Sequence, residues 1–450
     1  MGNRIVLIGA NHAGIAAANT ILARYPGKEL TVIDRNNDIS YLGCGTALWI
    51  GRQINGVEGL FYTSSKELAE KGAKFMLEST ATKVDFDAKA VHVAAADGGA
   101  ETTVPYDKLI LATGSKPIEP KIPGTKLGNV HFVKLYQEGK AIDKALDDPA
   151  VERIAVVGAG YIGVEIAEAA KRRGKRAILF EAADTCLSTY FDPSFTHDME
   201  QNLEEHGVEL RFGEKLTEIE GKDGKVCGVV TNKGRYGADL VILSIGFRPD
   251  NVLGKDRLKL FANGAYLADL RQQTSEPDVF AAGDCATVWS NATGAPAYIA
   301  LATNAVRSGI VAGHNACGTA VESVGVQGSN GINIFGLKMV STGLSMASAL
   351  KEGFDAAYSD YEDWQKPTFI VESENAKVKL RIVYDKKTRR VLGAQMASRY
   401  DISMGIHMFS LAIAEKVTVD KLALLDIFFL PHFNQPYNYI TMAALAALYS

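Results

Sequence analysis

The sequence R-I-A-V-V-G-A-G-Y-I-G at residues 153–163 decides the fold. A short apolar, β-branched run leads into Gly158, Gly160 and Gly163, and a helical stretch and a second strand at residues 177–181 follow. In this spacing the first glycine makes a tight turn, the second lets a pyrophosphate approach the backbone, and the third lets helix and strand pack closely. The pattern predicts a Rossmann-like β-α-β unit whose helix begins at bound phosphates.

Glu181 ends the second strand of this unit, where a carboxylate can accept hydrogen bonds from an adenosine ribose. Its negative charge would repel a 2′-phosphate, and Ala182 and Ala183 offer no arginine to attract one. The unit is therefore predicted to prefer NADH to NADPH.

A second glycine turn lies near the amino terminus, after the apolar run at residues 4–8. Gly9 and Gly14 are in place, but Asn11 occupies the middle glycine position and His12 follows it. Asp34 lies 20 residues after Gly14, where a ribose-binding acid belongs. The sequence thus predicts a second dinucleotide site with an altered turn and a histidine at the start of its helix.

The rest of the chain completes an α/β architecture. Buried parallel strands are predicted at 108–114, 240–246 and 279–284, whereas strands at 378–384 and 390–396 precede amphipathic helices at 403–415 and 419–428. We predict two Rossmann-like domains for FAD and NAD and a carboxy-terminal α+β dimerisation domain. Their expected limits are 1–115 with 247–323 for FAD, 116–246 for NAD(H), and 324–450 for dimerisation.

Composition narrows the function. The 450 residues are 47% hydrophobic and 22% charged, which is typical of a globular protein, and a formal net charge of −4 gives no basic field for nucleic acid. No segment has the apolar length of a membrane span. The five cysteines are scattered without framework spacing, which favours a reducing, cytoplasmic compartment. The eight histidines show no metal-ligand spacing, so no metal is expected.

Two dinucleotide motifs in one chain suggest a flavin partnered by a nicotinamide, because hydride transfer needs a donor and an acceptor held face to face. Cys44 is the candidate for receiving the electrons, since it is expected at a turn opening a helix, where a thiolate is stabilised. Five positions on, where disulfide reductases carry a second cysteine, the residue is Trp49. A single thiolate can cycle instead with a sulfenic acid. The other four cysteines are interpreted as small buried apolar residues.

Several segments together resemble a known family. Thr113 and Gly114 belong to an A-T-G strand end, and Asp284 to a G-D motif, that resemble those of flavoprotein reductases. With His12, the S-Y-L-G-C-G segment at 40–45 and the ending I-F-F-L-P-H-F-N-Q-P-Y at 427–437, the whole chain resembles the NADH oxidase and NADH peroxidase branch of the pyridine nucleotide-disulfide oxidoreductases. Within that branch it is most similar to the water-forming NADH oxidases.

The resemblance implies roles for individual residues. Cys44 would be the redox cysteine, His12 would stabilise peroxide beside it, Tyr161 would lie over the flavin and move aside for nicotinamide, and Glu165 would lie near both rings. A helix starting near Ala300, Leu301 and Ala302 would point at the flavin, and Phe429 or Phe433 would reach the partner subunit of a homodimer. The cofactor-binding residues so predicted are Gly9, Asn11, Gly14, Asp34, Thr113, Gly114, Asp284, Ala300, Leu301 and Ala302 for FAD, and Gly158, Gly160, Tyr161, Ile162, Gly163, Glu165, Glu181 and Gly246 for NADH.

Four functions fit the sequence to different degrees. The favoured one is an NADH oxidase that reduces O2 to water with two NADH. An NADH peroxidase would use the same cysteine on hydrogen peroxide taken from solution. A coenzyme A-disulfide reductase shares the single cysteine but usually lacks the histidine. A flavin-binding protein without turnover would leave Cys44, His12 and Glu181 together as a coincidence.

Overall fold

The computed structural model describes residues 3–96, 98–371 and 374–449. The first part of the chain builds a parallel sheet with one antiparallel sheet beside it. Its elements are β1 (Arg4–Ile8), α1 (His12–Arg24), β2 (Glu29–Ile33), α2 (Thr46–Ile50), α3 (Ser65–Glu70), β3 (Lys74–Met76), β4 (Ser79–Asp85), β5 (Ala90–Ala95), β6 (Thr102–Pro105), β7 (Lys108–Leu111) and β8 (Ser115–Pro117).

The second part of the chain has the same arrangement, a parallel sheet with an antiparallel sheet beside it. Its elements are β9 (Val130–Phe132), α4 (Tyr136–Asp147), β10 (Arg153–Val157), α5 (Tyr161–Arg172), β11 (Arg176–Glu181), α6 (Pro193–Glu205), β12 (Glu209–Phe212), β13 (Leu216–Lys222), β14 (Lys225–Thr231), β15 (Arg235–Gly237) and β16 (Leu240–Leu243). They form a parallel sheet of order β12-β11-β10-β16-β9 and an antiparallel sheet β13-β14-β15. Strands β10, β11 and β16 are almost entirely buried, as expected of a parallel sheet covered on both faces.

The chain then returns to the first sheet. The returning elements are β17 (Phe247–Pro249), β18 (Val279–Ala281), β19 (Val288–Ser290), β20 (Ala295–Ala297) and α7 (Ala302–Ala316). Strand β18 joins the first sheet, whose order is β18-β7-β1-β2-β3, and β17 pairs antiparallel with β8 where the chain leaves and re-enters. Helix α7 packs on α1 so closely that a Cβ on Gly309 would lie 2.2 Å from the carbonyl oxygen of Ala13.

The last part is an antiparallel sheet flanked by helices. It contains β21 (Asn330–Ile334), β22 (Leu337–Gly343), α8 (Met346–Lys351), β23 (Ala356–Trp364), β24 (Lys377–Asp385), β25 (Val391–Ser398), α9 (Gly405–Ala414), α10 (Val419–Ala423) and α11 (Tyr439–Tyr449). The sheet order is β21-β22-β25-β24-β23. The predicted fold class, two Rossmann-like units and an α+β dimerisation domain, is confirmed.

Some element ends differ from the prediction. Strands β7, β16 and β18 stop about three residues early, because Gly114, Gly246 and Gly283 adopt positive φ angles that end an extended strand. The helix predicted to reach residue 428 ends at Ala423. Leu424, Leu425 and Phe428 beyond it are exposed, with Leu424 84% accessible, so burial within this chain does not hold them in a helix.

Candidate active site

A cleft of about 450 Å³ follows the carboxyl ends of the strands of the first sheet. Crevices of this kind are where open α/β sheets bind their ligands. Seven of the residues predicted for FAD or catalysis line the cleft: Gly9, Asn11, His12, Asp34, Thr113, Gly114 and Asp284. Gly14 lies beneath the turn, where a Cβ would be 1.9 Å from the carbonyl oxygen of Gly9.

The two glycine turns are fastened in the same way. The backbone N–H of Ala10 donates to Asp34 Oδ2 at 2.7 Å, and the backbone N–H of Ala159 donates to Glu181 Oε2 at 2.7 Å. Each acid therefore keeps a second carboxylate oxygen, although Oδ1 of Asp34 also accepts from Asn36 and Oε1 of Glu181 from Ala183. The two acids therefore stabilise the backbone of the turns that precede α1 and α5.

The glycines of the second turn leave room for a phosphate. Gly158 has φ +102°, and a Cβ on it would lie 2.5 Å from the carbonyl oxygen of Ser244. A Cβ on Gly163 would lie 1.8 Å from the carbonyl oxygen of Gly158, whereas no atom of the described residues lies within 4 Å of the Cβ position of Gly160. Ile162 packs against the core behind this turn, so the open side is the one at Gly160.

The cleft of the first unit fits FAD in shape and chemistry. Asp34 stands where the adenosine ribose would lie, and at the other end Lys134 Nζ donates to Ser115 Oγ at 2.8 Å and to Asp284 Oδ2 at 3.1 Å. The hydroxyl of Tyr298 is buried and has no hydrogen-bond partner within the part of the chain that the structure describes. Asp284 contributes to raising the pKa of that Tyr298 hydroxyl, after burial, which places the unpaired hydroxyl near the same end of the cleft.

Cys44 lies in a short 3-10 turn at Gly43–Gly45 that precedes α2. Ser40, with φ +60°, donates its backbone N–H to the carbonyl oxygen of Ala10 at 2.9 Å. Leu42 donates to the carbonyl oxygen of Leu60 at 2.7 Å. These bonds fasten the Cys44 turn to the first glycine turn and to the segment that follows Leu60.

The pKa of Cys44 disagrees with the prediction that the following helix stabilises its thiolate. Cys44 is accessible to solvent, yet surrounding protein atoms desolvate its thiol and raise its pKa, and the charge of Glu165 raises it further. The backbone N–H of Cys44 acts in the opposite direction without prevailing. Helix α2 has only five residues, so its dipole is too small to reverse the effect of desolvation.

Glu165 and Tyr161 come from the second nucleotide-binding unit. Burial, with a smaller contribution from Glu168, raises the pKa of Glu165 to about 7. Because Glu165 influences the thiol, the two units meet at Cys44. The ring of Tyr161 stacks on Tyr190 with 4.5 Å between centroids, and its hydroxyl donates to Asn330 Oδ1 of β21.

His12 is the first residue of α1 and is half-buried in the cleft. Burial lowers the pKa of its imidazole, while Asp284 raises it and Lys134 lowers it. His12 Nδ1 lies 3.2 Å from the hydroxyl of Tyr62. The imidazole is therefore expected to be neutral at neutral pH.

The remaining predicted residues are not among those that line the cleft. Ala302 begins α7, with Leu301 as its N-cap and Ala300 just outside it, and Gly246 follows β16 with φ +106°. Cys186, Cys285 and Cys317 are buried as predicted, but Cys227 is exposed on β14, so its assignment as a buried apolar residue was wrong. Phe429 and Phe433 are exposed at the carboxy-terminal domain.

Three residues of the site were missed by sequence reasoning: Tyr62, Lys134 and Asn330. None belongs to a glycine turn or to a strand end that the motifs mark. Each contacts a predicted site residue that lies at least 50 residues away in the chain: His12 for Tyr62, Asp284 for Lys134 and Tyr161 for Asn330. The sequence carried no local signal for them.

Comparison with known proteins agrees with this geometry. Residues 3–309 match the pyridine nucleotide-disulphide oxidoreductase family, and residues 331–438 match its dimerisation domain. NADH oxidases of Streptococcus pyogenes and Lactococcus lactis subsp. cremoris are each 56% identical to this chain over 99% of it, covering 99% and 100% of their own lengths. The structure of a water-forming NADH oxidase from Lactobacillus brevis bound to NADH is 39% identical, with a TM-score of 0.96 over 99% of this chain and 98% of that one.

The described residues show two further features of the molecule. None of their helices combines the length and the apolar character needed to cross a bilayer. Among the same residues, no cluster of three or more histidine, cysteine or acidic side chains is arranged to hold a metal ion.

Proposed function

The chain belongs to the pyridine nucleotide-disulphide oxidoreductase family and uses FAD to oxidise NADH, and on that premise we propose that it reduces O2 to two molecules of water through a sulfenic acid at Cys44. The observation that carries this proposal is the position of Cys44. It is an accessible cysteine close enough to Glu165 of the NADH unit to feel its charge, and Trp49 stands five positions on, where a second cysteine would be needed for a disulfide.

FAD held in the cleft lined by Asp34, Thr113 and Asp284 would supply the chemistry by which two electrons move from NADH to O2, which with two protons yields hydrogen peroxide. The sulfur of Cys44 attacks one peroxide oxygen, so that an S–O bond forms, the O–O bond breaks and the departing hydroxide takes a proton to become water. Two electrons from a second NADH and two protons then return Cys44 to the thiol and release the second water. Two NADH are consumed for each O2.

The residues around Cys44 have the protonation states that this cycle needs. Glu165, with its pKa raised to about 7, can hold or release a proton at neutral pH beside the sulfur. A neutral His12 can donate a hydrogen bond to the peroxide oxygen that departs as hydroxide when the sulfur attacks. The raised pKa of Cys44 means that a base must remove its proton before attack, a role that we assign to Glu165.

The roles of the other predicted residues belong to the same proposal. Asp34, Thr113, Gly114 and Asp284 hold FAD, and Gly160, Tyr161 and Glu181 receive NADH. The chain forms a homodimer through its dimerisation domain. We assign the enzyme to the cytoplasm, because its five cysteines are all free, and we expect neither membrane nor nucleic acid as a partner.

The ratio of NADH to O2 consumed tests the proposal. The wild type should consume two NADH per O2 with no effect of added catalase. Cys44→Ser should consume one NADH per O2 and release one hydrogen peroxide, because the sulfur that attacks peroxide is gone. Cys227→Ser is the matched control, since it removes an exposed thiol from β14, outside the site, and should leave the two-to-one ratio intact.

Two outcomes would reject the proposal. A Cys44→Ser enzyme that still makes only water would exclude the sulfenic acid. Turnover that depends on added peroxide, with negligible uptake of oxygen by the wild type, would identify the protein as an NADH peroxidase.

A further inference from the structure

Tyr62 lies between the two side chains that the proposed cycle depends on. Its segment forms a short ribbon with the Cys44 segment: Tyr41 and Phe61 pair as an antiparallel bridge, and Ser40 Oγ donates to the carbonyl oxygen of Thr63 at 2.6 Å. Because Ser40 is itself bonded to the first glycine turn, Tyr62 is fixed relative to both His12 and Cys44.

The contact between Tyr62 and His12 is a directed one. The hydroxyl lies 3.2 Å from His12 Nδ1, and the planes of the two rings are within 4° of parallel. On its other side, Tyr62 is close enough to Cys44 for the sulfur's charge to act on the phenol. The hydroxyl therefore contacts the imidazole directly, and the phenol lies close enough to Cys44 to feel its charge.

The direction of this hydrogen bond follows from the two proton affinities. Burial and then the charge of Cys44 raise the pKa of Tyr62 to about 12, so that the phenol keeps its proton. Burial lowers the pKa of His12, so that one ring nitrogen is a free acceptor at neutral pH. A phenol donating to Nδ1 leaves the imidazole proton on Nε2.

We propose that Tyr62 is a positioning residue that donates its hydroxyl proton to His12 Nδ1, fixes the Nε2–H tautomer, and so directs the Nε2–H towards the peroxide attacked by Cys44. This inference rests on the proposed function. A fixed donor stabilises the negative charge that develops on the departing oxygen without reorganising first. Without Tyr62, the imidazole proton would be shared between its two nitrogens, and the donor would point at the peroxide only part of the time.

The first test is Tyr62→Phe, which keeps the ring and removes the hydroxyl. We expect reduction of peroxide to slow by about tenfold, less than the roughly 10²–10⁴-fold that a positioned acid itself contributes, because the imidazole remains and only its orientation is lost. Hydrogen peroxide should then escape during turnover. The content of FAD and the rate at which NADH reduces the flavin should remain as in the wild type. Tyr136→Phe is the matched control, because Tyr136 packs on Phe61 in the same aromatic cluster and should leave peroxide release unchanged.

A double-mutant cycle separates positioning from a general structural role. If Tyr62 acts through His12, Tyr62→Phe should add nothing to the peroxide leak of His12→Ala. Additive effects would overturn the proposal. So would a Tyr62→Phe enzyme that leaks no more peroxide than the wild type.

The tautomer can also be observed without any variant of Tyr62. In protein labelled with ¹⁵N-histidine, the signals lost in His12→Gln identify His12, and they should show a protonated Nε2 and an unprotonated Nδ1 at neutral pH. The opposite tautomer would overturn the proposal. Failure of the proposed function would look different, because trapping with dimedone would then find no sulfenic acid at Cys44 in the wild type itself.

Discussion

The two glycine turns are built alike and used differently. Each is braced by a carboxylate on the amide that follows its first glycine, at 2.7 Å in both cases. Three residues after that glycine, each helix begins with a residue to which we assign a role in the proposed reaction, His12 in the first turn and Tyr161 in the second. Under the proposed function, the same backbone design therefore carries a proton donor in one copy and an aromatic cover for the flavin in the other.

The largest expected effect comes from the third glycine of each turn. A Cβ at Gly14 or Gly163 would fall within 2 Å of a carbonyl oxygen of its own turn. Replacement by alanine should cost about 3 kcal/mol in the unit concerned, as in overpacked cores. Gly14→Ala should lose FAD, whereas Gly163→Ala should keep FAD and lose reduction by NADH while dithionite still reduces the flavin.

The control for this pair is Gly59→Ala, since no atom of the described chain lies within 4 Å of its Cβ position. It should retain FAD and NADH oxidation. Loss of FAD from Gly163→Ala, measured by absorbance of the purified protein, would show that the two turns are not independent.

A second difference lies one helical turn further on, where α5 carries Glu165 and α1 carries Ala16. The pKa of Glu165 is raised to about 7 in the folded chain, above its usual value of 4.5. The unfolded chain therefore loses this proton first as pH rises. Between these two pKa values the free energy of unfolding should fall by about 1.4 kcal/mol for each increase of one in pH.

Glu165→Gln removes this penalty, so its melting temperature should exceed that of the wild type at pH 8 and approach it at pH 5. Glu204→Gln, at an exposed glutamate of α6, is the control and should show no such trend. An advantage of Glu165→Gln that grows towards pH 5 would contradict the assignment.

Neutralising the two acids that stabilise the glycine turns should affect different cofactors. Glu181→Gln removes the charge that repels a 2′-phosphate, and we expect kcat/KM for NADPH relative to NADH to rise about tenfold, equivalent to ~1.4 kcal/mol. Asp34→Asn should weaken retention of FAD and leave the preference between NADH and NADPH unchanged. Steady-state kinetics with both nucleotides measures the first effect, and flavin loss on dilution the second.

The smallest expected effect concerns the hydroxyl of Tyr161. Tyr161→Phe keeps the stacking on Tyr190 and removes the bond to Asn330, whose Oδ1 still accepts from Ser341 Oγ at 3.1 Å. The loss of stability should be about 0.5–1.5 kcal/mol, read from thermal melting, with little change in KM for NADH. If this variant leaks as much peroxide as Tyr62→Phe, the distinction between the two turns fails.

Sequence reasoning located the features that depend on residues close together in the chain. It missed the contacts between residues that are far apart in the chain. The glycine turns, their acids and the strands that feed them could be located because each depends on neighbours within about 30 residues. Tyr62 and Asn330 could not, since their contacts with His12 and Tyr161 exist only after segments 50 and 169 residues apart have packed together.

The protonation state of Cys44 could not be predicted from the sequence either. The prediction of a thiolate considered only the helix that follows, whereas desolvation by the surrounding protein raises the pKa of Cys44 more than its backbone N–H lowers it, and the charge of Glu165 adds a smaller increase. The domain limits and the individual cofactor contacts remain predictions.

The return of the chain to its first sheet affects how the protein can fold during synthesis. Strand β18 completes that sheet and α7 covers α1, and both emerge from the ribosome after the whole β9–β16 unit. The NADH unit can therefore fold while its predecessor is unfinished, with an exposed edge at β7. The flavin site, although it begins at the amino terminus, is completed later than the site it works with.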